Sequence, residues 1–164
     1  MTDLPTYVLD RTFDAPASLV WRAWTDPELV PRWYGPGVTS IVHKMDVRVG
    51  GVWLHEMRWG DTAHFQRMEY TAVEEPAHLH WLHHTTNEAW ETVPNPQMPG
   101  WPRTLDTNVT FTEADGQTAM KMTWTPHDPT PEEIETFKSA MEGMSMGWGK
   151  GMDVMAEILA ELQA

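Results

Sequence analysis

The chain predicts an α+β fold, a curved antiparallel sheet of about seven strands wrapped around a long C-terminal helix, with two short helices after the first strand. Three observations carry this. A strand-like stretch from Tyr7 to Phe13 gives way at Asp14-Ala15-Pro16 to two proline-led apolar segments. Further strand-like runs then succeed one another across short turns, and the region after Thr130 holds one continuous helical stripe.

Tyr7-Val8-Leu9 and Thr12-Phe13 are β-branched and aromatic types suited to a pleated surface. Pro16 reads as the first helical residue, because its fixed φ suits a helix and its missing N–H would be unbonded there anyway. Leu19, Val20, Ala23 and Trp24 recur at helical spacing and should bury one face. Asp26-Pro27 repeats the arrangement with a better N-cap, and Leu29, Val30 and Trp33 give the second helix its apolar side. Pro36-Gly37 ends the pair.

Segments 38–48, 52–59, 63–74 and 78–85 read as strands bounded by Gly, Asp or Pro, and 105–113 with 117–125 form a hairpin around Ala114-Asp115-Gly116. Short turns between successive strands imply an antiparallel meander with one face to be covered, and the last helix is the cover. Its start is marked by a capping box, Thr130-Pro131-Glu132-Glu133. Ile134, Phe137, Met141, Met144, Trp148, Met152, Met155, Leu159 and Leu162 then fall at intervals of three or four. Gly143, Gly147, Gly149 and Gly151 each cost about 1 kcal/mol relative to Ala inside a helix. Gly143, Gly147 and Gly151 border the apolar stripe, where they permit close approach to the sheet, room for a ligand, or a kink.

The passage from Arg11 to Pro36, RTFDAPASLVWRAWTDPELVPRWYGP, resembles the start of a family of stand-alone proteins. That family is similar to the C-terminal domain of the heat-shock protein 90 ATPase activator, within the START and birch-pollen-allergen-like (SRPBCC) superfamily of helix-grip proteins. Three further segments carry the resemblance: Asp46-Val47-Arg48-Val49-Gly50-Gly51, Glu75-Pro76-Ala77-His78-Leu79, and Gly147-Trp148 followed by Met152-Asp153-Val154-Met155. They run in order over nearly the whole chain. The resemblance implies the helix-grip fold, a cavity between sheet and helix, and a tight turn at Gly50-Gly51.

With 164 residues the chain is expected to form one domain, 1–164, able to bury a core and a cavity. Its opening residues lack a basic start and an apolar run, and no stretch is apolar enough to span a bilayer, so a cytoplasmic location is expected. Cysteine is absent, which removes disulfides, thiolate catalysis and Cys-based zinc sites. A net charge of −13 disfavours nucleic acid and anionic membrane as partners. Ten Trp and twelve Met are enough to line an adaptable apolar site as well as fill a core. The long irregular segment 86–104 contains Trp90, Met98 and Trp101, too apolar for a solvated linker, and reads as a lid near the cavity mouth.

Strand alternation assigns faces. Trp53, His55, Met57 and Trp59 share the helix-facing side of 52–59, with Leu54, Glu56 and Arg58 opposite. His64, Gln66, Met68, Tyr70 and Ala72 group together, as do Leu79, Trp81 and His83, leaving His78, His80 and His84 on the outer face. Adjacent His83 and His84 point apart, so no shared metal ion is expected there, and the outer histidines read as a solvated face. No cofactor is expected. No Gly-x-Ser-x-Gly elbow or Gly-x-Gly-x-x-Gly loop appears.

These placements favour binding of a small apolar or aromatic molecule between sheet and C-terminal helix, by Trp53, His55, Met57, Tyr70, Trp81, His83, Met144 and Trp148. The alternative buries the same polar groups against backbone. The resemblance adds two further readings. One is a cavity-based enzyme of cyclase or hydrolase type, marked by an acid and a base facing one another. The other is a chaperone ATPase cofactor, for which the full activator carries an additional N-terminal domain that this length leaves no room for.

Overall fold

A computed structural model of the chain describes residues 3–164. Among these, seven strands form one antiparallel sheet: β1 (Tyr7–Phe13), β2 (Thr39–Met45), β3 (Val52–Trp59), β4 (Thr62–Glu74), β5 (His78–Thr86), β6 (Thr104–Ala114) and β7 (Gln117–Pro126). Their order is β1-β7-β6-β5-β4-β3-β2, so the meander runs unbroken from β2 to β7 and the first strand closes its far edge. Helices α1 (Ala17–Thr25) and α2 (Val30–Trp33) carry the chain from one edge of the sheet to the other. The long helix α3 (Pro131–Leu162) packs against both short helices and against β1 and β7. This is the expected helix-grip arrangement.

Two helix starts differ in detail from their sequence reading. Pro16 has an extended ψ of 155° and serves as the N-cap of α1, one position before the helix. Its carbonyl accepts the amides of Leu19 and Val20, which an extended cap residue can do as well as a helical one. Asp26 accepts an amide hydrogen bond as expected, from Glu28 at 2.9 Å, but it caps a turn. The regular helix begins only at Val30, after that turn has brought Leu29 and Val30 onto the Asp26 carbonyl.

Both Oε atoms of Glu133 are engaged at the start of α3. One completes the capping box with Thr130 and the other accepts the Arg103 amide at 2.7 Å, tying the end of the 86–104 segment to the helix. Along α3, Phe137, Met152, Met155 and Leu159 are buried, and Met141, Met144, Trp148 and Leu162 pack partly buried against the core. Ile158, three residues after Met155 and four before Leu162, is buried beside Leu159 and widens the stripe at this end of the helix.

Gly50 takes a positive φ of 85°, and a side chain at Gly51 would collide with the Asp46 carbonyl, which accounts for the paired glycines of that turn. In β4 the expected alternation holds from Gln66 to Tyr70 and then slips. A bulge between Tyr70 and Ala72 sets Val73, not Ala72, opposite Leu79 and against the core. Glu56 lies on the outer face as alternation requires, yet only 3% of it is exposed. His43 and Arg58 hydrogen-bond its two oxygens. Trp90, from the 86–104 segment, packs on His43 and on Phe65, the cross-strand partner of Glu56.

Candidate functional site

Against the inner face of the sheet the aromatic side chains form a connected body. Trp24 contacts Trp33, Trp81 and Trp148; Tyr34 contacts Trp33, Trp53, His55 and Trp148; Trp124 contacts Trp148, Trp101 and His83. Such rings pack mostly edge to face, which suits their quadrupoles and leaves irregular gaps that flexible side chains fill incompletely.

The larger gap is a cavity of about 440 Å³ between α2, the turn at Gly35-Pro36, and α3. Met57, Met144, Trp33, Trp148 and Trp124 supply its apolar wall, and Tyr34 with Gln66 its polar one. The Tyr34 hydroxyl donates to Gln66 Oε1 at 2.7 Å. Burial raises the Tyr34 hydroxyl above its ordinary range despite that bond, so it remains a protonated donor. The α3 glycines divide between two of the roles open to them. Gly143 and Gly147 line the cavity and would meet nothing within 4 Å if given a Cβ, whereas Gly151 lies where a Cβ would come 2.9 Å from the Trp33 carbonyl. The first two make room, and the third lets α2 approach.

A second, smaller cavity of about 260 Å³ is lined by His64, Gln66, His83, Thr85, Leu105 and Trp124 of the sheet and by Asn95, Met98 and Trp101 of the 86–104 segment. The segment therefore covers this cavity and contributes nothing to the wall of the larger one. Its Trp101 packs edge-on against Trp124 and tilted against Phe137, while Trp90 turns away to the outer face.

Of the residues expected at the site, Met57, Met144 and Trp148 line the larger cavity and His83 the smaller. Trp53, His55, Tyr70 and Trp81 belong to the packed core outside both walls, each 2% exposed or less. His55 Nδ1 accepts from the Trp53 indole at 3.2 Å, its ring lies against Tyr34, and its Nε2 has no partner among the described residues. Burial, reinforced by neighbouring imidazoles, pushes both His55 and His83 down to about 3, so both rings are neutral near pH 7. Burial also lowers His64. The outer histidines are paired one by one: His78 with Glu74 and Asn108, His80 with Asp106, His84 with Thr104. Among the described residues neither cavity is lined by a carboxylate, and no cluster of three or more His, Asp or Glu could hold a metal ion.

Sequence reasoning missed Trp33, Tyr34, Gln66 and Trp124. Gln66 lies on the inner face that alternation assigns, and alternation from Met120 and Met122 points to Trp124. Tyr34 follows a four-residue helix, where no periodicity marks which way a side chain turns.

No helix of the described residues is long and apolar enough to cross a membrane. Curated proteins include no match to the chain. Solved structures similar to it include protein Ms6760 from Mycobacterium smegmatis, with a TM-score of 0.77 and 23% identity over 96% of each chain. A protein from Arthrobacter aurescens has a TM-score of 0.78 and 24% identity, over 95% of this chain and 86% of its own. One from Staphylococcus epidermidis has 0.79 and 21%, over 98% and 93%. These likenesses bear on the fold alone. The family described as "Activator of Hsp90 ATPase homolog 1-like protein" matches residues 14–160, and with nearly the whole sequence covered by that match the chain belongs to this family.

Proposed function

We propose that the chain is a single ligand-binding domain whose larger cavity takes a small apolar or aromatic molecule. The observation that carries this is the cavity's make-up: about 440 Å³ walled by Trp and Met, with one buried hydrogen-bonded pair, Tyr34 and Gln66, to orient what enters. Its volume falls in the range of small-molecule sites, and a mostly apolar wall with few polar atoms is their usual composition. Two glycines in that wall add support. Gly143 and Gly147 sacrifice about 1 kcal/mol each of helix propensity at positions where a Cβ would meet no atom within 4 Å, so their benefit lies in the space they leave.

Titration with the uncharged aromatic probe N-phenylnaphthylamine, followed by energy transfer from tryptophan, tests this. Gly147→Leu projects a side chain into the cavity, and should weaken binding by about tenfold or more while the far-UV circular dichroism is unchanged. Equal binding by the two proteins would overturn the assignment of the cavity.

A further inference from the structure

The two cavities share a wall. Gln66 and Trp124 line both, and Trp124 is flanked by Trp148 of the larger cavity at 5.1 Å and by His83 of the smaller at 5.4 Å. One indole and one amide side chain thus form the partition between an apolar space and a polar one.

The polar space holds donors of His83, Gln66 and Trp124 that no acceptor among the described residues meets. His83 Nδ1 faces the Trp81 indole N–H at 3.4 Å and accepts from it, which leaves the ring proton on Nε2. Gln66 Oε1 is taken by the Tyr34 hydroxyl, so its amide nitrogen is the end left to donate. The Trp124 indole Nε1, in a residue only 9% exposed, has no partner among the described residues. An indole N–H is a donor only, and leaving it unmet in a buried place is costly. Leu105, Met98 and Trp101 supply the apolar remainder of the wall.

We propose that the two cavities are the two ends of one elongated site, which binds an amphiphile with an aromatic or apolar body beside Trp148 and an uncharged oxygen acceptor, a ketone, quinone or ester carbonyl, in the chamber of His83, Gln66 and Trp124. This rests on the larger cavity being the binding site, and adds the chemical class of the ligand. An uncharged acceptor fits better than a carboxylate because His83 and His64 are neutral in place, and an anion buried among neutral donors lacks a counter-charge. Among the described residues the one cationic side chain in either wall, Lys150, belongs to the larger cavity and is exposed, while His64 and His83 line the smaller.

Two probes separate the ends of the site: dimethylaminonaphthalene, and its propionyl derivative prodan, whose emission moves to the red when its ketone accepts a hydrogen bond. Gly147→Leu should weaken both probes. His83→Phe should weaken prodan by about fivefold to tenfold, the effect of one lost hydrogen bond, leave dimethylaminonaphthalene unchanged, and shift bound prodan emission to the blue. His64→Leu, at a less buried position in the same chamber, should show the same selectivity and serves if His83→Phe does not fold. Loss of both probes in equal measure, or of neither, on changing the histidines would overturn the two-ended site while leaving the larger cavity's assignment intact. Indifference of both probes to Gly147→Leu would remove the assignment itself. Tighter, His83-dependent binding of the corresponding naphthalene carboxylate would overturn the preference for an uncharged acceptor.

Discussion

Gly147→Ala and Gly151→Ala make the same chemical change one turn apart on α3 and should move stability in opposite directions. At 147 the new Cβ meets nothing within 4 Å, so the change reduces to helix propensity and should stabilise by about 1 kcal/mol. At 151 the Cβ would come 2.9 Å from the carbonyl oxygen of Trp33, an approach that backbone on a packed helix cannot relieve by a rotamer change. Overpacking of this kind costs about 1–3 kcal/mol, which offsets the propensity gain and leaves a net loss of roughly 1 kcal/mol. Urea unfolding followed by tryptophan fluorescence and by circular dichroism reads both. With slopes of about 1–3 kcal/mol per molar, the two midpoints should part on either side of wild type by roughly 0.3–1 M each at unchanged slope. A Gly151→Ala protein as stable as Gly147→Ala would refute the close packing of α2 on α3.

Stability should fall on acidification well before the carboxylates titrate. His55 and His83 have folded values near 3 against an ordinary 6.5, so the unfolded chain takes up their protons first. Their contribution is present above about pH 6.5 and is lost toward pH 3, at about 1.4 kcal/mol per pH unit for each once the unfolded imidazole is charged. His78, raised by Asn108 and Glu74, works in the other sense, and its contribution is lost as pH rises through its folded value. Urea midpoints compared at pH 7 and pH 5 check this; equal midpoints would show the buried rings reachable by protons without unfolding. Glu133→Gln should cost about 1–3 kcal/mol, because the amide side chain offers one acceptor where the carboxylate serves both the Thr130 and the Arg103 amides. Burial pushes the Glu133 carboxyl up, but those two bonds, the Arg103 charge and the Thr130 side chain together hold it below the usual carboxylate range, so the wild-type advantage should be full at pH 7 and shrink as pH falls past that range. An unchanged midpoint at pH 7 would contradict it.

What the sequence revealed follows from the range of the forces involved. Strand limits, the α3 cap, the inner face of β5 and that of β3 from Trp53 to Met57 rest on local rules, namely period-two alternation and a side chain closing on amides three residues away, and these were legible; Trp59, in phase with them, is 41% exposed at the strand's end. The bulge at Thr71 was not, since a slip of register depends on the partner strand. Nor was the burial of Glu56 beneath His43 and Arg58, which needs a second strand to supply the histidine. The cavity was legible as a tendency, through Trp and Met on one face. Its boundary was not, because Trp53 and Trp81 share that face with Met57 and Trp148, and only three-dimensional packing decides which rings touch one another and which face a gap.

The position of β1 at the edge beyond β7 has a consequence for how the chain reaches this state. Tyr7 pairs with Trp124 and Phe13 with Thr118, so the first of the described strands finds its partner only when the last of them has been made. The strands from β2 to β7 can zip up neighbour by neighbour, at small loop-closure cost, but β1 must wait beside α1 and α2 until the sheet behind it is built. Until then its apolar residues Tyr7, Leu9 and Phe13 and its unpaired amides stay open to misplaced contacts. Closure of the sheet and docking of α3, which packs on β1 and β7 together, therefore belong to one late cooperative step, and the cavity comes into being only with it.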